Sequence, residues 1–215
     1  MSNELLMIMT SNGTLGDSGR PTGVWVEEVC VPLKAFRDAG FIVSAASPLG
    51  GRPPIDPRSA GFDTSTVPDL EEWLDEAGVL ADVDPGRYAA VFLAGGHGTM
   101  WDFRGDAKLA ELAKDVRAAG GVISAVCHGP AALVDLGVVR DQPVTGFSNA
   151  EEDAVGLTKV VPFLLEDALV KEGARYSKAD KPFEAHVAIG KNLVTGQNPA
   201  STKGVAEAVV KMLEG

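Results

Sequence analysis

Residues 121–133 read Gly-Val-Ile-Ser-Ala-Val-Cys-His-Gly-Pro-Ala-Ala-Leu, and this stretch decides the fold. A short apolar run, typical of a strand covered on both faces, leads directly into Cys127, and Gly129 with Pro130 then opens a helix. The small residue Ala125 and the glycine at 129 allow the backbone to turn sharply around the cysteine, as in the nucleophile elbow of hydrolases. The stretch therefore predicts that Cys127 lies on a strained turn between a buried strand and a helix.

Strand and helix signals alternate along the whole chain, with no repeat or linker between them. Short apolar runs predict strands at 5–10, 41–46, 88–94, 122–126 and 143–147. Helical patterns predict helices at 25–39, 107–119, 129–136, 163–172 and 201–213, the last capped by Ser201. An edge hairpin is predicted at 186–189 and 192–195, and the proline-rich segment 50–69 is predicted to be irregular. This alternation indicates a mostly parallel sheet within one domain, residues 1–215.

Composition excludes several classes of protein. With 45% hydrophobic residues the chain can form a core, and its net charge of −11 opposes binding to nucleic acid. No apolar run approaches the roughly 18 residues of a membrane-spanning helix, and no signal peptide is recognised. We therefore expect a cytoplasmic protein that binds neither nucleic acid nor membranes, in which Cys30 and Cys127 are free thiols.

The two cysteines differ in their surroundings. A helix after Cys127 would direct its N-terminal amides at the sulfur and favour the thiolate, which is the nucleophilic form. The alternative is a small buried hydrophobic residue, the commonest fate of a free cysteine. We favour that alternative for Cys30, which borders the apolar stripe of the first helix with no glycine or histidine beside it. The Cys-His-Gly-Pro context favours a functional Cys127.

A nucleophile of this kind needs an acid or base, and the first helix offers two glutamates. At 100° per residue, Glu27 lies almost opposite the apolar stripe, whereas Glu28 borders it. Partial burial would raise the pKa of Glu28 and keep it protonated. Pro32 has no N–H for the carbonyl of residue 28, which loosens the backbone there. An ordinary carboxylate at the rim of the core is the alternative for Glu28.

A glycine-rich loop and three histidines complete the candidate residues. The loop 94–99, Ala-Gly-Gly-His-Gly-Thr, follows a predicted strand, and its amides could form an oxyanion hole. It lacks a complete nucleotide-binding motif. His97, His128 and His186 do not have the spacing of zinc ligands, so no metal is expected. His186, within the hairpin, is expected to be structural.

Together these segments resemble the ThiJ/PfpI superfamily, which has the class I glutamine amidotransferase-like fold, and within it the glutathione-independent glyoxalases, also called glyoxalase III or stress chaperones. The resemblance covers nearly the whole chain. Its matching segments are Thr22-Gly-Val-Trp-Val-Glu-Glu with Pro32, Ala94-Gly-Gly-His-Gly, Ala125-Val-Cys-His-Gly-Pro, Val144-Thr-Gly-Phe and Leu193-Val-Thr-Gly-Gln-Asn-Pro-Ala-Ser.

The resemblance implies a flavodoxin-like three-layer α/β/α sandwich and assigns roles to individual residues. Cys127 is similar to the family nucleophile, His128 to its catalytic partner and Glu28 to the acid that contacts the sulfur. A third acid that orients the histidine corresponds by spacing to Glu152, although the flanking Glu151 and Asp153 stay open. The implied oxyanion and substrate-binding residues are Gly95, Gly96 and His97, with the amide of His128 as a possible second donor.

The implied activity is that of a glyoxalase III type lyase, in the D-lactate dehydratase class. It would convert methylglyoxal and related 2-oxoaldehydes to 2-hydroxy acids such as D-lactate, without glutathione or another cofactor. The expected partners are this small-molecule substrate and a second copy of the chain in a homodimer. Two other functions use the same residues: a cysteine-dependent amidase, peptidase or deglycase, and a redox-responsive stress chaperone.

Overall fold

The structure is a computed structural model that describes residues 2–215, and its centre is a seven-stranded sheet. The strands, in chain order, are β1 (Glu4–Ile8), β2 (Ile42–Ser47), β3 (Gly78–Val79), β4 (Ala90–Leu93), β5 (Val122–Val126), β6 (Pro143–Val144), β7 (Arg175–Tyr176), β8 (Val187–Gly190) and β9 (Leu193–Gly196). The central sheet has the order β3-β2-β1-β4-β5-β9-β8, and only β8 runs antiparallel to its neighbour. The predicted parallel sheet and its edge hairpin are confirmed.

Helices cover both faces of this sheet. They are α1 (Glu27–Asp38), α2 (Leu70–Asp75), α3 (Thr99–Asp102), α4 (Ala107–Ala118), α5 (Asn149–Ala154), α6 (Leu165–Lys171) and α7 (Thr202–Glu214). The crossovers β1-α1-β2 and β4-α4-β5 run in opposite directions across the sheet, so right-handed connections place α1 and α4 on opposite faces. The α7 helix packs beside α1. This arrangement is the predicted flavodoxin-like three-layer fold.

The core explains why the central strands carry almost no polar residues. All residues of β4 and β5 are buried, because helices cover both faces of these strands. Phe36 of α1 packs edge-on against Phe92 of β4, with ring centroids 5.7 Å apart. No helix in residues 2–215 has both the length and the apolar character that crossing a membrane requires.

The strand predicted at 143–147 differs from the observed structure. Only Pro143–Val144 is a strand, and it pairs with β7 in a separate two-stranded sheet. Farther along, Phe147 donates its amide to the carbonyl oxygen of Cys127 at 2.8 Å. The segment therefore crosses the end of β5 instead of joining the central sheet, and it brings Phe147 to the elbow.

Two predicted helices also differ in detail. The helix predicted at 129–136 is a short 3-10 helix, Gly129–Leu133. Ser201 does not cap α7 with its side chain; its hydroxyl instead donates to Asn198 Oδ1 at 3.1 Å. The reason is that a 3-10 turn beginning at Pro199 leads directly into α7. The short helices α2, α3 and α5 carry too little periodicity to be predicted.

Candidate active site

The candidate site is built around a strained turn at the carboxyl end of β5, the end at which parallel α/β sheets bind ligands. Cys127 follows β5 directly and has a φ of 57°, a conformation that costs energy for a residue with a side chain. Gly129 is required two residues later, because a Cβ there would lie 2.3 Å from the carbonyl oxygen of Leu93. The predicted elbow is therefore present.

A small cavity gives access to the sulfur. Cys127 is only 4% exposed, but it lines a cavity of about 160 Å³. Most of the other lining side chains are apolar, and they include Trp25, Phe147 and Phe183. The elbow therefore presents the sulfur to an enclosed, apolar space and not to open solvent.

Cys127, His128 and Glu152 form a continuous chain of contacts. The Cys127 sulfur lies 3.2 Å from Nδ1 of His128, and Nε2 of His128 lies 2.8 Å from Oε2 of Glu152. Burial alone would raise the pKa of Glu152, but its contacts with His128 and His97 hold the pKa well below its usual range. Because an ionised carboxylate only accepts, the His128 proton is on Nε2. Nδ1 is then free to take the thiol proton.

The two acids that flank Glu152 have other surroundings. The carboxylate of Glu151 is buried and accepts hydrogen bonds from the amide and the hydroxyl of Ser148, both at 2.8 Å, as part of a capping box at the start of α5. Asp153 is exposed. Of the three acids that the sequence left open, Glu152 is therefore the one in contact with His128.

Glu28 is fully buried, where the helical periodicity predicted partial burial. Its Oε2 accepts a hydrogen bond from the amide of Gly95 at 2.8 Å, while the buried Oε1 receives no hydrogen bond from any donor in residues 2–215. Burial raises the pKa of Glu28 to about 8, although the neighbouring Cys127 thiol and the hydrogen bond from the Gly95 amide limit the rise. Glu28 therefore holds its proton at neutral pH, beside the sulfur.

In the glycine-rich loop 94–99, the amide of Gly95 binds Glu28 and is not free to act as the predicted oxyanion donor. The role of Gly95 as an oxyanion donor is wrong, because Glu28 already takes its amide. A Cβ at Gly95 would lie 2.5 Å from Glu28 Oε2, so glycine is needed for the loop to close on this acid. Gly96 has a φ of 105°, and its amide lowers the pKa of the Cys127 thiol. The amide of His128 is not engaged by a backbone carbonyl in the described chain and stays a candidate oxyanion donor.

The protonation state of Cys127 also differs from the prediction. Burial raises the pKa of this thiol well above its usual value, and the charge of Glu28, when ionised, raises it further; the Gly96 amide acts in the opposite direction. The expected effect of a helix N-terminus is weak here because the following helix is a short 3-10 helix. The resting group is therefore a thiol, and a base must generate the thiolate.

Cys30 and His186 lie outside this cluster. Cys30 is fully buried among core residues, and burial raises the pKa of its thiol to about 11. His186 contacts the hydroxyl of Ser177 at 2.8 Å, close to the edge hairpin. Both positions agree with the structural interpretation drawn from the sequence.

His97, which the resemblance places among the substrate-binding residues, lines the cavity and extends the cluster together with Arg58. No sequence pattern reveals Arg58. Nε2 of His97 lies 3.0 Å from Oε1 of Glu152, and its Nδ1 lies 3.1 Å from Nη2 of Arg58. Asp56, fully buried, pairs with Arg58. Both Asp56 and Arg58 belong to the irregular segment 50–69, which has no periodicity from which their position could be predicted.

The ligand atoms of His97, His128 and Glu152 lie within 4.8 Å of one another, and this donor set is one that zinc uses in proteins. A histidine that binds a metal through Nε2 carries its proton on Nδ1. On His97 that proton would face Arg58, which can only donate. These contacts fit a hydrogen-bond network better than a metal centre.

Comparisons with known proteins identify the family of the chain. A model of the DJ-1/PfpI family matches residues 22–212. Glyoxalase 3 of Candida albicans is 31% identical, over 100% of this chain and 99% of its own length. A glutathione-independent glyoxalase of Schizosaccharomyces pombe is also 31% identical, over 98% of this chain and 97% of its own length.

Solved structures superimpose on nearly the whole chain. The Rapid Encystment Protein of Francisella tularensis superimposes with a TM-score of 0.94 at 39% identity, covering 99% of both chains. Glyoxalase III of Candida albicans superimposes with a TM-score of 0.89 at 29% identity, covering 97% of this chain and 96% of its own.

Proposed function

The chain belongs to the DJ-1/PfpI family, and on this basis and the site geometry we propose that it is a glutathione-independent glyoxalase. Its substrates would be methylglyoxal and related 2-oxoaldehydes, and its products 2-hydroxy acids, D-lactate in the case of methylglyoxal. The observation that carries the proposal is the carboxyl group of Glu28, which is fully buried next to Cys127 around Gly95 and whose pKa burial raises to about 8. A hydrolase needs a base and an orienting acid, which His128 and Glu152 supply, but it does not need this second acid.

The first step is addition to the aldehyde. Nδ1 of His128 takes the thiol proton as the Cys127 sulfur attacks the aldehyde carbon, and Glu152 stabilises the imidazolium that forms. Glu28 donates its proton to the aldehyde oxygen. The product is a hemithioacetal, and Glu28 is left ionised. The amide of His128 is a candidate donor to the oxygen as negative charge develops there.

The second step moves hydrogen between two carbons. The ionised Glu28 removes the proton from the carbon bound to sulfur while the His128 imidazolium gives its proton to the neighbouring carbonyl oxygen, so the product is an enediol. Glu28 returns its proton to the neighbouring carbon and then takes the proton of the first carbon's hydroxyl group. This leaves a thioester with a 2-hydroxyl group, a neutral His128 and a protonated Glu28. A group whose pKa is near 8 is suited to both halves of this transfer, because it is neither a strong acid nor a strong base near neutral pH.

Hydrolysis completes the cycle. His128 accepts a proton from water as the water attacks the thioester carbonyl, and the C–S bond breaks to release the 2-hydroxy acid and regenerate the Cys127 thiol. The apolar cavity favours a small neutral substrate, and the net charge of −11 favours departure of the anionic product.

The peptidase alternative fits less well. A peptide must place its backbone against the sulfur, whereas Cys127 is 4% exposed and is reached through a cavity of about 160 Å³. The proposed activity is tested by incubating the protein with methylglyoxal in the absence of glutathione and assaying D-lactate. A peptide panel and a glycated amino acid serve as parallel substrates. The proposal predicts D-lactate with little peptide hydrolysis; peptide cleavage without D-lactate would refute it.

A further inference from the structure

Arg58 is held rigidly at the wall of the cavity. Its Nε and Nη2 donate to the two carboxylate oxygens of Asp56, at 2.9 and 2.7 Å. Asp56 is fully buried and also accepts from the hydroxyl of Thr22 at 2.9 Å. Such a two-point pairing fixes the plane of the guanidinium group. Nη2 is therefore presented to His97 in one orientation.

This contact determines which nitrogen of His97 carries the proton. Arginine has no acceptor atom, so Nδ1 of His97, 3.1 Å from Nη2, must be the unprotonated nitrogen. Nε2 then bears the proton and donates it to Oε1 of Glu152, 3.0 Å away. Burial and the neighbouring His128 lower the pKa of His97 to about 4, which agrees with a neutral ring.

Glu152 is thus held at both oxygens. Oε1 accepts from His97 and Oε2 from His128, so the carboxylate cannot rotate without losing a hydrogen bond. The rings of His97 and His128 also lie against each other, with centroids 4.0 Å apart. We propose that His97, in the tautomer fixed by Arg58, is a positioning residue that holds Glu152 and, through it, directs Nδ1 of His128 at the Cys127 sulfur.

The first test compares two replacements of His97. In His97→Gln the amide oxygen can accept from Arg58 and the amide nitrogen can donate to Glu152, whereas His97→Leu can do neither. Loose positioning of a catalytic group costs about 10- to 100-fold in rate. We therefore expect kcat for methylglyoxal to fall by about that factor in His97→Leu, with KM little changed, and to return to within about fivefold of wild type in His97→Gln. These kinetics depend on the proposed function.

The second test is independent of activity. The chain has only three histidines, so ring nitrogens labelled with ¹⁵N can be assigned by NMR with single-histidine variants. The wild type is expected to show His97 with its proton on Nε2, and Arg58→Met is expected to populate the Nδ1 tautomer.

A His97 ring that is doubly protonated, or protonated on Nδ1, in the wild type would overturn the proposal. Equal kcat values in His97→Leu and wild type would also do so. Absence of glyoxalase activity in the wild type, with the expected tautomer observed, would refute the proposed function and leave the tautomer assignment in place. Should His97→Leu fail to fold, the NMR result on the wild type decides alone.

Discussion

Replacing Cys127 with alanine is expected to reduce D-lactate formation from methylglyoxal by at least about 10³-fold. The sulfur forms the covalent bond to the aldehyde carbon in the proposed mechanism, and no second thiol is among the side chains that line the cavity. The strain at position 127 lies in the backbone, where φ is 57°, so removing the sulfur atom leaves it unchanged. The fold is therefore expected to persist in the variant. Initial rates and the thermal unfolding midpoint of the variant check these expectations.

Cys30→Ala is the matched control. Cys30 is buried among core residues and its thiol pKa is raised to about 11, so we expect activity within about twofold of wild type. A Cys127→Ala variant that keeps a tenth of the wild-type rate, or a Cys30→Ala variant that loses activity while remaining folded, would contradict the assignment of the nucleophile.

Glu28→Gln is expected to lose activity and gain stability. Glutamine fills the same space and can hydrogen-bond to the sulfur, but it can neither give up nor take a proton, so kcat should fall by about 10²- to 10⁴-fold. Because glutamine is neutral, the variant also avoids the loss of folding free energy that comes from keeping an ionisable carboxyl group in the core. Activity and stability are therefore predicted to change in opposite directions, which is unusual for a buried substitution.

The effect of Glu28 on stability depends on pH in a defined direction. The carboxyl ionises near pH 4.5 in the unfolded chain and near pH 8 in the folded one. Between these values the folded chain holds the extra proton, so the contribution of Glu28 to stability is fully present below pH 4.5 and is lost as the pH rises to 8. Wild type should accordingly be less stable than Glu28→Gln by about 3 kcal/mol at pH 7.

Urea unfolding of wild type and Glu28→Gln between pH 4.5 and 9 measures this difference. Its control is Glu27→Gln, since Glu27 is partly exposed on the same helix and its carboxylate accepts no hydrogen bond from the site. We expect the control to leave activity unchanged and to lower the pH midpoint only slightly, because the charge of Glu27 contributes least to the raised pKa of Glu28. A stability difference that does not vary with pH would mean that Glu28 is ionised in the folded protein.

The sequence predicts those parts of the site that are encoded locally. The elbow at Cys127 follows from small residues around the cysteine, and the burial of Glu28 follows from its angle on α1, because both depend on a few neighbouring residues. The family resemblance implies Glu152 but does not separate it from Glu151, since both are buried and only their contacts differ.

The other features of the site depend on contacts between segments that are far apart in the sequence. Arg58 and His97 are 39 residues apart, and their pairing is set by a segment with no regular structure. The occupation of the Gly95 amide by Glu28, and the raised pKa of the Cys127 thiol, result from close packing of α1 against the loop after β4. Neither the direction of an amide nor the degree of desolvation can be deduced from periodicity.

Infrared spectroscopy of the Glu28 carboxyl group tests the central claim most directly. The difference spectrum between wild type and Glu28→Gln at pH 7 should contain the C=O band of a protonated carboxylic acid, and this band should disappear with a midpoint near pH 8. A carboxylate band in its place at pH 7, with no protonated acid, would contradict the claim that a neutral Glu28 lies beside the sulfur of Cys127.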